Sequence, residues 1–545
     1  MDKLAIASLQ WSIEHHKHFG DTDIFPNRPE FFAIHSVRDS VVAELSQLDF
    51  SKWITKEREN IPVPKPDGTF RISTYLHPLD SIVYLAALHD QFDTIETGRV
   101  GRDQNVSFSY RLDATAGGSL FALKDSWKSY KGQSLKLANE GDFAYVLVCD
   151  IADFYNQIYV HRVQNALASL GVPQERCNAI ENFLLSLNGK NSRGIPVGST
   201  ASIVISEVIL DDIDKWIINK FVVHTRYADD FRFFFKTYQD ALLFLENFSS
   251  YLYSYHRLSL QARKTRIFKK LTYLENEEKD HEKIERDSKA RAFENVLSKL
   301  VEEVKNEAKV EVFEIEDGIK IEMTAGVEWG PYGEVFLTEE KFAELEKKAD
   351  FQTAGTTVRE LLEASLEESL DLGLARFALG RGAEIRTDKL VPIIIDNWDA
   401  LSPVSRQVCF YLRIMRKRLN AVDIEKLKAI FERKSTSQLG YVKRWLLWLL
   451  VECHEEFGAA YVSKFATLNR SADNSVAFFQ MLKKTENKQG LNDWREKLRS
   501  LPSEAKRAAL LSCDFLPITE RRFFVAGEGA SDDLLDKFVC TYVLR

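Results

Sequence analysis

The chain has no long hydrophobic run and few cysteines. No apolar segment reaches the ~18–20 residues of a membrane-spanning helix, and the N-terminus, with Asp2 and Lys3 before a short Leu-Ala-Ile-Ala run, lacks the pattern of a signal peptide. The six cysteines have no paired spacing and mostly lie in apolar runs, which favours buried free thiols over disulfides or zinc sites. These absences predict a cytosolic protein without a membrane partner.

An excess of positive charge is also missing. The formal net charge is −8, with 31 basic and 32 acidic residues in 1–270 and 42 basic and 49 acidic residues in 271–545. A protein that holds a long nucleic-acid duplex neutralises phosphates with many Lys and Arg side chains. Neither half of this sequence has such a basic footprint.

Length and composition point to an ordinary globular protein of more than one domain. The sequence has 545 residues, of which 45% are hydrophobic and 28% are charged. A chain of this length exceeds what a single hydrophobic core usually organises, so we expect at least two domains.

Two adjacent carboxylates, Asp229 and Asp230, lie between apolar runs. Residues 216–218 and 221–223 precede the pair, and four phenylalanines occur within the five residues that follow it. Such runs predict two strands of a buried hairpin with the acidic pair at or near its tip. Burial of two like charges without a counter-charge costs several kcal/mol, and Mg²⁺ is the simplest remedy. The alternative is a solvated acidic turn.

A third carboxylate supports the metal interpretation. The apolar run Tyr145–Asp150 has the character of a strand and ends on Asp150. Two strands that each deliver a carboxylate to one place make a two-metal site for phosphoryl transfer. We therefore predict that Asp150, Asp229 and Asp230 are catalytic metal ligands.

These two segments resemble motifs A and C of the reverse transcriptase palm, the second with its Tyr-x-Asp-Asp signature as Tyr227-Ala228-Asp229-Asp230. Between them, Gly194–Ser202 resembles motif B, and Leu258–Phe268 resembles motif D. The four motifs occur in the family's order and cover about half of the chain. The resemblance implies a fingers-and-palm fold, a nucleotidyltransferase that uses deoxynucleoside triphosphates, and Mg²⁺ as cofactor, with Mn²⁺ as the alternative ion.

The resemblance also implies nucleotide-binding residues. Ile61–Ile72, with an Asp-Gly turn signal, is similar to the fingers hairpin that brings a Lys and an Arg to the incoming triphosphate, here Lys65 and Arg71. The alternative is an ordinary surface hairpin with solvated charges. By the same resemblance, Ile151 and Gly198 lie at the nucleotide.

Two further roles follow from motifs A and D. Tyr155 stands five residues after Asp150, where the family places the aromatic ring that excludes a 2′-hydroxyl, although Tyr155 or Phe154 could simply fill the core. Lys264 in motif D is expected to act as a general acid toward the leaving pyrophosphate. The basic stretch around Lys264 could equally be a surface that faces nucleic acid.

Motif B departs from the family pattern. Val197 stands where templated relatives usually have a glutamine that positions the template-nucleotide pair, which puts template handling in doubt. The segment that follows, 203–214, has helical character. Glu207 matches the family's carboxamide or acid there, whereas Asp211, Asp212 and Asp214 are predicted to be solvated surface charges.

The second half of the chain has a different character. Residues 275–287 are charged and resemble a linker, 309–323 predicts a β-hairpin around an Asp-Gly turn, and helical periodicity dominates from about 340. We predict an α+β protein in which a reverse transcriptase palm-and-fingers domain precedes an all-α, HEAT-like helical repeat domain. The predicted divisions are N-terminal helices at 1–60, fingers and palm at 61–275, a linker with a hairpin at 276–340, and the helical domain at 341–545.

A palm followed by a long helical array, without a recognisable thumb or RNase H, resembles the bacterial abortive-infection reverse transcriptases of the AbiK, AbiA and P-two prophage types. That resemblance implies anti-phage defence in the bacterial cytoplasm by a homo-oligomeric polymerase that needs no template, is primed by a protein hydroxyl, and leaves single-stranded DNA covalently attached. Two alternatives stay open. One is an RNA-templated reverse transcriptase with a partner RNA, and the other is a catalytically inactive palm used as an interaction scaffold.

Overall fold

The computed structural model describes most of the chain. The described residues are 2–56, 58–115, 117–122, 127–277, 310–315, 319–324, 327–329, 335–337, 342–343, 351–367, 370–467, 471–526 and 532–545.

The N-terminal segment forms three helices and a hairpin. The helices are α1 (Ile6–Phe19), α2 (Pro29–Ser36) and α3 (Arg38–Leu45), and the strands are β1 (Glu59–Pro64) and β2 (Phe70–Tyr75), which pair antiparallel. Gly68 closes the hairpin with φ +77°, a conformation that favours glycine. The predicted N-terminal helices and the hairpin around the Asp-Gly pair are therefore confirmed.

A four-stranded antiparallel sheet lies at the centre of the polymerase half. Its strands are β3 (Tyr145–Asp150), β4 (Val223–Tyr227), β5 (Asp230–Phe235) and β6 (Arg266–Lys269), in the order β4-β5-β3-β6. The surrounding helices are α4 (Pro78–His89), α5 (Phe92–Gly98), α6 (Trp127–Glu140), α7 (Phe154–Gln157), α8 (Val160–Ser169), α9 (Gln174–Leu187), α10 (Thr200–Ile218) and α11 (Tyr238–Tyr251). Residues 270–277 are also helical, 3₁₀ turns occur at Phe50–Lys52 and Arg102–Gln104, and a π-helical turn occurs at Leu252–His256.

The phenylalanines of β5 are explained by burial on both faces of the sheet. Phe231 and Phe233 face the main core and pack against Phe248 of α11, while Phe234 points to a smaller cluster with Val146 on the opposite face. The predicted hairpin is confirmed for β4 and β5. The prediction was wrong for residues 216–218, which belong to α10, because a short apolar run does not distinguish a buried helix from a strand.

The segment after the sheet contains two short hairpins. Strands β7 (Val310–Ile315) and β8 (Ile319–Thr324) pair antiparallel, as do β9 (Val327–Trp329) and β10 (Val335–Leu337). The hairpin predicted at 309–323 is confirmed in its strands. The predicted linker from 278 onward and the turn at 316–318 lie outside the described residues.

The rest of the described chain is helical. Asp371, Asn420, Asn487 and Asp533 each cap a helix by accepting hydrogen bonds from backbone N–H groups in its first turn. The helices are Phe351–Ala364, Leu372–Glu384, Val391–Asp396, Ser405–Met415, Ala421–Phe431, Lys434–Gln438, Gly440–Glu452, His454–Phe457, Ala459–Val462, Ala472–Lys484, Lys488–Arg495, Ser503–Leu511, Ile518–Val525 and Leu534–Val543, with 3₁₀ turns at Asp388–Leu390, Ser402–Val404, Arg416–Arg418 and Leu498–Ser500. The helical character of this region is confirmed, while its HEAT-like nature stays a prediction.

The helical region contributes to two hydrophobic cores. One core is built mainly from residues 354–481 and takes in Phe25 and Ile61 from the polymerase half. The other joins residues 479–543 to the helices and sheet of the polymerase half, so that Leu4 and Val543 belong to the same core. The last helices thus complete the core on which the central sheet rests.

The cysteines agree with the expectation from the sequence. All six cysteines are buried free thiols, as predicted. In the part of the chain that the structure describes, no helix combines the length and apolar character needed to cross a membrane.

Candidate active site

The strand register brings the three predicted aspartates together. In the antiparallel pairing of β3 with β5, Asp150 lies directly opposite Asp230. Asp229 precedes Asp230 in the two-residue turn after β4, and its carbonyl oxygen accepts a hydrogen bond from the backbone N–H of Ile151 at 3.3 Å. The three carboxylates therefore lie at one edge of the central sheet.

The pKa values of the aspartates reflect their burial and their mutual repulsion. Burial, followed by the charges of Asp150 and Asp230, raises the pKa of Asp229 from 3.8 to about 6. Burial also raises the pKa of Asp230, against the opposing effect of Arg232, which lies 3.9 Å away. The site therefore carries more negative charge than its protein neighbours neutralise.

Lys264 also lies at this edge of the sheet, while its role as a general acid stays a prediction. Its ammonium donates a hydrogen bond to Oδ2 of Asp150 at 2.6 Å. Partial burial lowers the pKa of Lys264, but the bond to Asp150 and the charges of the three aspartates outweigh burial and raise it overall. Lys264 is thus a protonated side chain held beside the carboxylates.

The chemistry of this donor set fits a hard divalent cation. Carboxylate oxygens are the preferred ligands of Mg²⁺ and Mn²⁺. Lys264 pairs with Asp150 and Arg232 approaches Asp230, whereas within the described ranges no ion pair involves Asp229. Among those same residues, no group of three His, Cys, Asp or Glu side chains is already arranged to hold a metal ion. The metal triad therefore stays a prediction.

A buried ionic network supports the turn that carries Asp229. Arg226 is fully buried and donates to Oδ1 of Asp214 from Nε at 3.0 Å, to Oδ2 of Asp214 from Nη2 at 2.7 Å, and to Glu207 from Nη1 at 3.1 Å. Arg99 donates to Glu207 from the other side at 2.6 Å. His224 also contacts Asp214, with Nε2 3.2 Å from Oδ1. The network joins α10, which carries Glu207 and Asp214, to β4, which carries His224 and Arg226 and leads into the turn with Asp229.

The sequence-based prediction that Asp211 and Asp214 are solvated was wrong. Both are buried, and Asp211 accepts a hydrogen bond from the backbone N–H of Val100 at 2.7 Å and pairs with Lys215 at 2.9 Å. Asp212 is partly exposed and pairs with Arg162. A usable signal was present, because residues 207, 211 and 214 fall on one helical face, whereas 212 does not.

Tyr155 lies near the carboxylates at the start of α7. Its hydroxyl is 3.1 Å from the hydroxyl of Ser206 on α10, and its ring is half-buried. Burial raises the pKa of Tyr155, so the hydroxyl stays protonated, and Asp229 is close enough to contribute to that shift. Phe154, in contrast, is buried in the core. The ring of Tyr155 packs partly against the main core, so its contact with the sugar stays a prediction.

Shortening Tyr155 is expected to relax sugar selection. In Tyr155→Val, the ratio of ribonucleotide to deoxynucleotide incorporation should rise about tenfold or more, since space for a 2′-hydroxyl becomes available. The ratio is measured with matched ribo- and deoxynucleoside triphosphates. Phe154→Leu is the control for lost packing at the same helix. A ratio that rises equally in both variants, or in neither, would show that Tyr155 only fills the core.

The fingers residues occupy the predicted hairpin. Lys65 follows β1, where its backbone N–H donates to the carbonyl of Thr69 at 2.8 Å, and Arg71 is an exposed residue of β2 paired opposite Val63. In the described residues, no hydrogen bond or ion pair joins either side chain to the aspartates. Their contact with a triphosphate stays a prediction.

The motif B loop is tightly packed against the N-terminal segment. Gly198 has φ +104°, and a Cβ there would lie 2.8 Å from Ile24 Cδ1 and 3.0 Å from Thr22 Oγ1. Val197 is buried, and its carbonyl accepts from the backbone N–H of Thr74 at 2.9 Å. The positive φ favours glycine at 198, because a residue with a Cβ would be strained there. Ile151 is likewise buried, so its side chain belongs to the core.

Comparison with known families identifies the region that contains these motifs. Residues 63–276 match the family model described as "Reverse transcriptase (RNA-dependent DNA polymerase)". Residues 63–276 are a reverse transcriptase domain. The match includes the turn and the second strand of the fingers hairpin, the three aspartates and Lys264, and it confirms the prediction of a nucleotidyltransferase of this family. Polymerases with this domain generally use divalent metal ions such as Mg²⁺.

Solved structures with similarity to the chain include telomerases. Telomerase from Candida albicans, in complex with a TWJ fragment of telomeric RNA, is 9% identical over 77% of this chain and 70% of that chain, with a TM-score of 0.29. Apo telomerase from Candida tropicalis is 10% identical over 84% and 74%, with a TM-score of 0.31. No curated protein matches the sequence. At these scores, the assignment of the reverse transcriptase domain depends on the family match alone.

Proposed function

We propose that this chain is a DNA polymerase that joins deoxynucleotides without a template, starting from a hydroxyl of the protein itself, so that single-stranded DNA stays covalently attached. The observation that carries the proposal is the convergence of Asp150, Asp229, Asp230 and Lys264 at one edge of the central sheet. The reverse transcriptase domain supplies the reaction class.

Each of these residues has a definite task in nucleotide addition. Asp150, Asp229 and Asp230 would hold the divalent ions, which, when bound, stabilise charge on the transferring phosphoryl group. The attacking hydroxyl forms a new ester bond to the α-phosphorus and loses its proton to solvent, while the bond from the α-phosphorus to the β-phosphate oxygen breaks. Lys264, held protonated beside Asp150, gives a proton to the departing pyrophosphate.

Template independence is supported by the motif B loop and by charge. Val197 presents a buried apolar side chain where a template-positioning glutamine is usual, and Thr22 and Ile24 lie against the neighbouring Gly198. The sequence also lacks the basic excess that holding a long duplex requires. A protein hydroxyl then takes the place of a nucleic-acid primer's 3′-hydroxyl, and tyrosine is the favoured donor because its pKa of ~10 lies below that of serine or threonine.

The biological role proposed here is anti-phage defence in the bacterial cytoplasm. It follows from the resemblance to abortive-infection reverse transcriptases and includes a homo-oligomer with a HEAT-like helical domain. The helices from 351 to 543 support this architecture, because they make up the described chain after the two short hairpins and bury the fingers hairpin residue Ile61 in their core.

Template-free synthesis is tested with purified protein, deoxynucleoside triphosphates and Mg²⁺ alone. After denaturation in detergent, the mass of the protein should be increased, and DNase digestion should remove most of the increase. The double variant Asp229→Asn/Asp230→Asn is the matched control and should show no increase. Incorporation that begins only when RNA is added, with product released by denaturation, would instead favour the RNA-templated polymerase. A wild type inactive under both conditions would favour the scaffold alternative.

A further inference from the structure

The turn that carries Asp229 is held in an unfavourable backbone conformation. Ala228 and Asp229 connect β4 to β5, and Ala228 has φ +48°. Left-handed backbone is disfavoured for a residue with a Cβ, and glycine is the usual solution in a tight hairpin. The surrounding structure must therefore stabilise this conformation of Ala228, and the carboxylate of Asp229 depends on it.

Both peptide groups of Ala228 are bound by buried side chains. Its N–H donates to Ser109 Oγ at 2.8 Å, and its carbonyl oxygen accepts from Arg226 Nη1 at 3.2 Å. Ser109 and Arg226 are 1% and 0% exposed. These two hydrogen bonds fix the backbone N–H and the carbonyl group of Ala228, and so stabilise its left-handed conformation.

Glu207 determines how Ser109 can bind the turn. Ser109 donates its hydroxyl proton to Glu207 Oε1 at 2.6 Å, which leaves an oxygen lone pair for the N–H of Ala228. Glu207 in turn is fixed by Arg99 at 2.6 Å and by Arg226 at 3.1 Å. In this chain of hydrogen bonds, Arg99 and Ser109 donate to Glu207, and the N–H of Ala228 donates to Ser109.

We propose that Ser109, oriented by Glu207, is a positioning residue that holds Ala228 in its left-handed conformation and thereby places the Asp229 carboxylate for metal binding. Arg226 completes the clamp through the carbonyl of Ala228. This inference is based on the proposed function, because it assigns Asp229 to a divalent ion.

The test compares three variants of the full chain. Ser109→Ala removes the acceptor for Ala228, and the Mg²⁺ concentration for half-maximal incorporation should rise about tenfold. Ser107→Ala is the matched control, because Ser107 is a buried serine of the same segment. Its Oγ accepts hydrogen bonds from the two arginines that also bind Glu207, at 2.8 Å from Arg226 and 3.3 Å from Arg99. Its effect on the Mg²⁺ requirement should be less than about twofold.

The third variant separates positioning from general stability. Ser109→Ala/Ala228→Gly should recover most of the lost Mg²⁺ affinity, because glycine adopts positive φ without the clamp. Thermal melts verify that each variant is folded. If Ser109→Ala does not fold, Ser109→Cys takes its place, since cysteine has a similar shape and is a weak acceptor.

Mn²⁺ binding, measured by electron paramagnetic resonance, gives a readout that does not need polymerisation. An equal loss of Mn²⁺ affinity in the Ser107 and Ser109 variants, or a lack of recovery with Ala228→Gly, would overturn the positioning role. A wild type that incorporates no nucleotide would contradict the proposed function, and the Mn²⁺ affinities of the variants would then decide the positioning role alone.

Discussion

Replacing Asp229 and Asp230 together by asparagine is expected to abolish nucleotide incorporation while the protein stays folded. The pKa values of both carboxylates are raised, which shows that nearby cations neutralise them incompletely. Metal ions held by such ligands stabilise the transition state by several kcal/mol. A loss of about 4 kcal/mol slows the reaction about a thousandfold. The measurement is incorporation of labelled deoxynucleotides with Mg²⁺. Asp153→Asn, an exposed carboxylate three residues from Asp150, is the control and should keep its activity.

The single substitution Asp229→Asn is expected to change the thermal stability of the protein in a way that depends on pH. The pKa of Asp229 is raised from 3.8 to about 6, so between these values the folded state binds a proton more tightly than the unfolded state does. In the absence of metal, stability of the wild type should therefore fall as pH rises from about 4 to about 6. Asp229→Asn should melt at a higher temperature than wild type above that range, with the difference vanishing near pH 4. A lower melting temperature of the variant at pH 7.5 in EDTA would refute this account of the site.

Replacing Arg226 by methionine is expected to cost about 3–5 kcal/mol in the free energy of unfolding, the usual penalty for removing one partner of a buried ion pair. Asp214 and Glu207 would keep their charges in the protein interior without this partner. Urea denaturation of the full chain measures the loss. Arg359→Met is the control, because Arg359 and Glu363 form an exposed pair within one helix and should contribute at most about 1 kcal/mol.

The loss of unfolding free energy in Arg226→Met should also depend on pH. Burial raises the pKa of Asp214, but the charge of Arg226 and the hydrogen bonds from His224 and Arg226 together outweigh burial and lower the pKa overall. Without the arginine, Asp214 should titrate at higher pH, so protonation relieves the penalty and the variant is least impaired in acid. A loss below about 1 kcal/mol at neutral pH would mean that water compensates both carboxylates.

Much of the site could be predicted from the sequence because its signals are local. The run Tyr145–Asp150 and the phenylalanines after Asp230 show strand character, and the Asp-Gly pair at 67–68 shows a turn. Because a carboxylate adjoins each of these two predicted strands, we expected the carboxylates to meet, and the strand register places Asp150 opposite Asp230. Each of these features can be recognised within about ten consecutive residues.

The helical spacing of residues 207, 211 and 214 indicated a shared face, but the partners that these acids bind could not be predicted because they are distant in sequence. Ser109 and Ala228 are separated by 119 residues, and Val100 and Asp211 by 111. Acidic residues are mostly exposed in proteins, so Asp211 and Asp214 were assigned to solvent. Their burial depends on arginines and backbone N–H groups that only the tertiary fold brings near. Likewise, the positive φ of Ala228 has no signature in the residue type itself.

The core shared by the two ends of the chain has a consequence for biosynthesis. Helix α2 packs against the helix Leu534–Val543, and Arg28 of the preceding loop pairs with Glu504 at 2.8 Å. After motif D ends at residue 268, a ribosome must still add 236 residues to reach Glu504 and 266 residues to reach Leu534, which takes on the order of 10 to 50 seconds. Until then the apolar face of α2 is uncovered and the palm lacks part of its support. The nascent polymerase should therefore stay inactive until the helix Leu534–Val543 is made, and a variant in which this helix is deleted should be degraded although its catalytic motifs are intact.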